Sequence, residues 1–544
     1  MVTAALLLAA TFTRPLERVS TMDPAMATSI YDAHAVQLVY EPPLEIDYKA
    51  RPYRLVPGFC ELPEVSADGL TYVFKLKVKG RGEGEGERRK SNLHCSPSPL
   101  AFTSSDLVRS LERLRDPKLV SPNGWLLKDV DAIRALDART VEIRLKRRCH
   151  FFPWLMAMSS ATVVGPNGEG TGPYELTHWR KNHEMVFRRK VRGEGEGEGG
   201  RRNSNFHCSP SSSPSSSSSP SPSPSTFTFD TVRYLVVDDE STQWLMFLKG
   251  ELDYLDRISR DNFDSIVDSE GRLAPSLAAA GVRLYSIPTM EVLYIGMNMK
   301  DPVVGPNRRL RQALNAAFDY PAWEKFYNGR ILPCPTPVPP GVEGRLERPF
   351  PYAFDLAKAR RLIAEAGYPG GVDPKTGRRL VLTMSVGRAT QQSREMGELA
   401  AAFYEKIGVK LEISYMTWDA FLRAVNEGRV QLFNMGWVGD YPDAQNFLQL
   451  FYSGNMSPGP NHSAYANPEY DREYDAALAS VTAEERNRHW AKCQEILQED
   501  CPWVFTHVNK AYTLVRPTVG NYIPSDFPYG HERHYERRGI GNRE

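Results

Sequence analysis

The chain has 544 residues, with 67 Lys and Arg against 66 Asp and Glu and a formal net charge of +1 at pH 7. Hydrophobic residues at 41% and charged residues at 24% are ordinary for a globular protein, and the even charge balance argues against a nucleic-acid binder or a polybasic membrane-surface protein. At about 150 residues per domain, the length allows roughly three to four domains, or fewer large ones.

Met1-Val-Thr-Ala-Ala-Leu-Leu-Leu-Ala-Ala opens the chain as a short apolar stretch with no Lys or Arg before it. Two readings stay open: residues 1–14 as a candidate remnant of a signal-peptide core, or a buried first strand. The terminus by itself does not establish export. No apolar run approaches the ~18–20 residues that cross a bilayer, so an integral membrane protein is not expected. The 7 cysteines (Cys60, Cys95, Cys149, Cys208, Cys334, Cys493 and Cys501) lie far apart, without a C-x-x-C pair, which argues against a zinc ribbon or a disulfide scaffold.

Residues 80–98 read GRGEGEGERRKSNLHCSPS, and residues 192–211 read RGEGEGEGGRRNSNFHCSPS before a Ser/Pro tract that runs to Ser225. The two stretches align almost residue for residue. Neither supplies an apolar face, so they are expected to be disordered insertions in surface loops, of the kind that translated non-coding sequence would give. Gly195, Gly197 and Gly200 match G-x-G-x-x-G formally, but Glu-Gly and Arg-Arg-Asn-Ser flank them where a strand and a helix are needed, so no dinucleotide cofactor is expected. His94/Cys95 and His207/Cys208 supply only adjacent pairs, too few for a metal site.

The remainder alternates helical and strand patterns, which predicts an α/β protein. Thr103-Ser-Ser-Asp106 resembles a capping box, ahead of Leu107, Val108, Leu111 and Leu114 on one helical face. Asp355 opens a helix that Gly367 should stop. Residues 391–407 form another helix, ended by Gly408, and feed a period-two strand from Val409 to Tyr415. Thr482-Ala-Glu-Glu485 caps a long helix through about Leu497.

These residues, together with a series of short motifs, resemble the family 5 extracellular solute-binding proteins, the oligopeptide- and dipeptide-binding components of ABC importers. The motifs begin with Thr21-Met-Asp-Pro24, Leu55-Val-Pro-Gly58 and Ser66-Ala-Asp-Gly-Leu-Thr-Tyr-Val-Phe74. Phe102 to Leu114 and Gly170-Thr-Gly-Pro-Tyr174 follow. The second half adds Arg311-Gln-Ala-Leu314, Ala364-Glu-Ala-Gly-Tyr-Pro369 and Gly436-Trp-Val-Gly-Asp-Tyr-Pro-Asp443. Each is weak alone; their shared order across most of the chain is specific.

The resemblance implies a two-lobed, type II periplasmic-binding-protein-like fold that closes on a ligand. Lobe I would combine residues 15–287, carrying the insertions 80–98 and 192–225, with a return over 508–544, and lobe II would span 288–507. The hinge crossings would lie near Leu284–Met297 and Val504–Leu514. The implied partners are a small peptide or similar zwitterion and the permease subunits of an ABC importer. Contact with the membrane would come only through the permease, and the protein would act as a monomer in a periplasmic or extracytoplasmic setting.

A site for many peptides should read what all peptides share, namely the ammonium, the carboxylate and the backbone. By resemblance, Asp440 is the amine anchor, beside Trp437 and Tyr441; Asp-Tyr-Pro-Asp is equally good turn chemistry. Arg388 resembles in position the arginine that holds the peptide carboxylate, and a solvated surface arginine is the other reading. Trp418 and Tyr415 would wall the cleft or belong to the core. Gly170–Tyr174 is expected to be a structural turn on the lobe I side.

A hydrolase is the rival of a different class. Asp440 and Asp443 share one short turn, and no G-x-S-x-G, H-E-x-x-H or P-loop pattern appears, so no catalytic residue is expected. His531-x-x-His534 is at best a weak metal pair. Within the family, a nickel chelate, a sugar or an opine is the alternative solute to a peptide.

Overall fold

The computed structural model describes residues 10–77, 102–190, 227–258, 260–268, 271–457, 459–527 and 529–538. The Gly-Glu/Ser-Pro stretches at 80–98 and 192–225, with their His-Cys pairs and glycine motif, lie outside the described residues, as do residues 1–9. Residues 10–14 of the candidate signal remnant do belong to the fold. Thr11–Pro15 is a strand with Phe12 fully buried, running parallel to Thr231–Leu235 with Thr11 opposite Thr231. Glu184–Arg189 and Tyr174–Arg180 extend this sheet on the far side of Thr231–Leu235. Met185 and Phe187 alternate inward, as the period of a half-buried strand requires.

A second sheet orders Glu64–Val65, Thr71–Lys75, Thr140–Leu145 and Val130–Asp137. The helix Ser104–Glu112 packs beside it because Leu107 and Leu111 fall one turn apart, and both are fully buried. Its start follows the expected chemistry: the Asp106 carboxylate accepts the Thr103 N–H at 2.8 Å.

The largest sheet runs Tyr254–Leu255, Trp503–Val515, Glu291–Met297, Leu432–Val438, Val381–Val386, Lys410–Tyr415, with Arg283–Pro288 and Ile331–Pro333 also paired to Trp503–Val515. Helices Leu356–Glu365, Gln391–Glu405, Trp418–Asn426 and Ala483–Asp500 accompany it, the last extending past the expected end near Leu497. Gly408 shows why glycine ends the helix before Lys410: its φ is +83°, and an added Cβ would lie 2.0 Å from the Gly370 carbonyl oxygen.

The 13-residue strand Trp503–Val515 changes partner along its length. Trp503 to His507 pair with Glu291–Met297, whereas Lys510 to Val515 pair with Arg283–Pro288. The chain between those two partners also bonds to it, through the Thr289 N–H and the Asn509 carbonyl at 2.8 Å. The strand is buried at both ends and half-buried over Asn509–Tyr512. Cys60, Cys149, Cys334, Cys493 and Cys501 are buried free thiols. No helix among the described residues is long and apolar enough to cross a membrane.

Candidate functional site

Three parallel strands deliver their ends to one edge of the large sheet. Val386 lies opposite Asn434 on one side and Tyr415 on the other. The chain therefore leaves Val381–Val386, Lys410–Tyr415 and Leu432–Val438 at the same edge, through Gly387–Arg388, Met416–Trp418 and Gly439–Asp440. The carboxyl edge of parallel strands is where open α/β sheets leave room for a ligand.

Asp440 is exposed at this edge. Its N–H donates to Asn446 Oδ1 at 3.1 Å, and its carboxylate accepts from Asn446 Nδ2 at 3.2 Å. The surrounding protein desolvates the carboxyl and raises its pKa above the ordinary 3.8, which the Asn446 bond offsets only in part. Trp437 is half-buried, and its indole N–H donates to the same Asn446 Oδ1 at 2.9 Å. Asn446, itself fully buried, thus ties the strand to Asp440. Sequence reasoning missed it; the available signal was the polar pair Gln445 and Asn446 among Ala444, Phe447 and Leu448, which are fully buried.

Tyr441 corrects an expectation. Its ring is 3% exposed and stacks on Phe151 with centroids 5.4 Å apart, and its hydroxyl donates to Gln445 at 2.6 Å. It belongs to the buried cluster that holds Leu111 and Phe152, so its ring is not offered at the strand edge. Asp443 also turns away. It caps the helix Ala444–Leu448 by accepting the Gln445 N–H at 2.8 Å, and it lies 3.3 Å from His150 Nε2. Burial pushes the Asp443 carboxyl up, but His150 and the Gln445 N–H outweigh it and hold the group below the ordinary range.

Trp418 is 49% exposed and begins its helix with its ring against Phe421, at a centroid distance of 5.5 Å. A Cβ on Gly387 would meet the Trp418 ring at 2.7 Å, so glycine lets that ring lie against the chain immediately before Arg388. Arg388 is exposed and, among the described residues, has no ion-pair partner. Tyr415 turns back to its neighbouring helix, with Arg394 over its ring at 5.1 Å. In Gly170–Tyr174, Gly170 and Gly172 press on the backbone at Leu38 and Val39, and the Tyr174 hydroxyl donates to the Phe229 carbonyl at 2.7 Å, away from the cavity.

A cavity of about 350 Å³ opens beside Val438 and Gly439, adjoining Asp440. Its wall includes Arg14, Glu17, Tyr31 and Arg257, the crossing residues Thr289–Glu291, and Asp526 with Tyr529; Arg388 and Trp418 do not reach it. Arg14 is buried between Asp256 at 2.6 Å and Glu532 at 3.0 Å. Arg257 pairs with Glu17 and reaches the Tyr31 hydroxyl. Asp526 accepts the Met290 N–H at 3.0 Å and the Tyr53 hydroxyl at 2.9 Å, and burial raises its pKa. His531 and His534 lie in a short turn, with His531 at 4.3 Å from the Tyr48 ring, and burial holds both imidazoles far below their ordinary pKa. No group of three or more His, Cys, Asp or Glu among the described residues is arranged to hold a metal ion.

The sequence pattern of the bacterial extracellular solute-binding proteins, family 5 (Middle), matches residues 23–459, and the chain belongs to this family. It is a solute-binding protein of the ABC-importer type and not an enzyme. Its α/β architecture is the type II periplasmic-binding-protein fold. Among curated relatives, heme-binding protein A of Haemophilus influenzae is 24% identical over 519 residues, 89% of this chain and 84% of that protein. The glutathione-binding protein GsiB of Escherichia coli O1:K1 is 25% identical over 514 residues, covering 90% of this chain and 87% of GsiB. Among solved structures, the periplasmic binding protein DppA from Helicobacter pylori, in complex with the peptide STSA, superposes with a TM-score of 0.70 at 19% identity, covering 97% of this chain and 98% of DppA.

Proposed function

We propose that the protein captures short peptides in the cleft and hands them to the permease subunits of an ABC importer. Asp440 carries this reading: an exposed carboxylate at the strand edge, held by Asn446 and without a cation of its own among the described residues. A peptide ammonium supplies the missing charge through a charge-assisted hydrogen bond. Arg388, two residues beyond the neighbouring parallel strand, is the candidate partner for the peptide carboxylate, with Trp418 beside it and Trp437 behind Asp440.

In this reading residues 15–287 and 508–544 close against 288–507 about the crossing strands. Ligand favours the closed arrangement because only there does it touch both sides. The protein works outside the cytoplasmic membrane as a monomer, meeting the membrane through the permease. The peptide complex of DppA supports a peptide as the solute, and the names of the other relatives keep glutathione and heme as competitors. Native mass spectrometry of the purified protein tests the reading. A retained mass that fragments as a short peptide is expected, and a retained heme or sugar would replace it.

A further inference from the structure

The cavity beside Asp440 has more negative than positive charge to offer a ligand. Glu17, Asp256, Glu291 and Asp526 line it, against Arg14 and Arg257. The two arginines are already engaged, Arg14 with Asp256 and Glu532 and Arg257 with Glu17. Glu291 and Asp526 flank Met290: Asp526 accepts the Met290 N–H at 3.0 Å, and Glu291 accepts the Thr289 hydroxyl at 3.2 Å. Neither has an ion-pair partner among the described residues. Arg51 stays outside the cavity, its guanidinium 4.0 Å from the Tyr53 ring and donating to the Pro524 carbonyl. His34, also in the wall, is held neutral by burial, with the nearby Arg14 adding to the effect.

A separate part of the same wall also lacks a donor. Gln243 is 5% exposed, and its amide N–H donates to the Val237 carbonyl at 2.6 Å. Its side-chain oxygen is left buried and unpartnered at a residue that lines the cavity. A buried acceptor without a donor is costly.

We propose that the cavity holds a second cationic group of the ligand, an ammonium or guanidinium on a peptide side chain, between Glu291 and Asp526. The proposal rests on the peptide reading above. A ligand with surplus carboxylates, such as glutathione, would meet unpaired like charge at this wall, whereas a lysine or arginine side chain neutralises it.

Calorimetry on the purified protein, with trialanine, Ala-Lys-Ala, glutathione and putrescine as probes, tests this. Ala-Lys-Ala should bind at least about tenfold more tightly than trialanine, the scale of one hydrogen bond to a charged group. Glu291→Gln and Asp526→Asn should each remove most of that preference while leaving trialanine within about twofold of its original affinity. Because Asp526 also holds Tyr53, Glu291→Gln decides the matter if the other variant does not fold. Equal binding of the two peptides, or tighter binding of glutathione than of Ala-Lys-Ala, overturns the second site and leaves the peptide reading standing. Binding of putrescine without either peptide keeps the cation site and overturns the peptide reading. No binding of any probe overturns both.

Discussion

Phe151 and Tyr441 lie ring on ring, with centroids 5.4 Å apart and planes 5° from parallel. Tyr441 follows Asp440 directly, so the segment that presents the Asp440 carboxylate is fastened from behind by the second sheet's region. His150 at 3.3 Å from Asp443 adds a polar contact to the same fastening.

Phe151→Leu keeps most of the side-chain volume but removes the ring pairing. We expect a loss of about 1 kcal/mol in urea unfolding, the scale of an aromatic pair beyond its area. Peptide affinity should fall as well, although Phe151 touches no ligand, because the Asp440 loop loses its support. Unchanged affinity in calorimetry would show that the loop keeps its place without the stack.

Asn446→Ala strips the partner from the Trp437 indole, the Asp440 N–H and the Asp440 carboxylate. We expect destabilisation of about 2–3 kcal/mol, since buried donors are left unmatched. A red shift of Trp437 fluorescence should accompany it, and a variant with wild-type stability and emission would remove Asn446 as the organising residue.

Asp440→Asn should weaken binding of a free-amine peptide by about 2–5 kcal/mol, as for breaking a desolvated charge pair. The pH behaviour follows from its raised pKa. The carboxyl binds its proton more tightly in the folded protein than in the unfolded chain, where 3.8 applies. Its contribution to stability is therefore most favourable below that value and is lost as pH rises through the higher folded pKa. Asp440→Asn should accordingly raise Tm at neutral pH while lowering affinity. In the wild type, affinity for the ammonium should decline as acid protonates the carboxyl, starting above pH 3.8. A Tm that drops in Asp440→Asn would contradict the sign of this argument.

Arg388→Ala should discriminate between two forms of one ligand. A peptide with a free carboxylate should lose about 1.5–3 kcal/mol of binding, the worth of a hydrogen bond to a charged group, while its C-terminal amide should lose little. Equal losses for acid and amide, or none for either, would return Arg388 to the solvated surface.

The helix ends were legible because their chemistry is local. Thr103 with Asp106, Asp355 before Lys358 and Thr482 before Glu485 each join groups three residues apart. The α/β class and the family were legible for a related reason, since periodicity and short motifs survive in a single sequence. The back of the site was not. Tyr441 reads as a ligand-binding residue beside Asp440, and nothing local announces Phe151 as its partner. The joint cavity position of Glu291 and Asp526 is likewise a tertiary fact. The first strand shows the same limit: the terminal residues leave a signal remnant and a buried strand both open until Thr231–Leu235 is present to pair with Thr11–Pro15.

Trp503–Val515 sets a deadline on assembly. It comes near the end of the chain yet pairs with both Arg283–Pro288 and Glu291–Met297, which follow one another along a single edge of it. A nascent chain that has not reached residue 503 has every other strand of the large sheet but leaves both of those partners as open edges. Completion of the fold therefore waits for nearly the whole polypeptide, and a chain truncated before this strand should be prone to association through those edges rather than merely less stable.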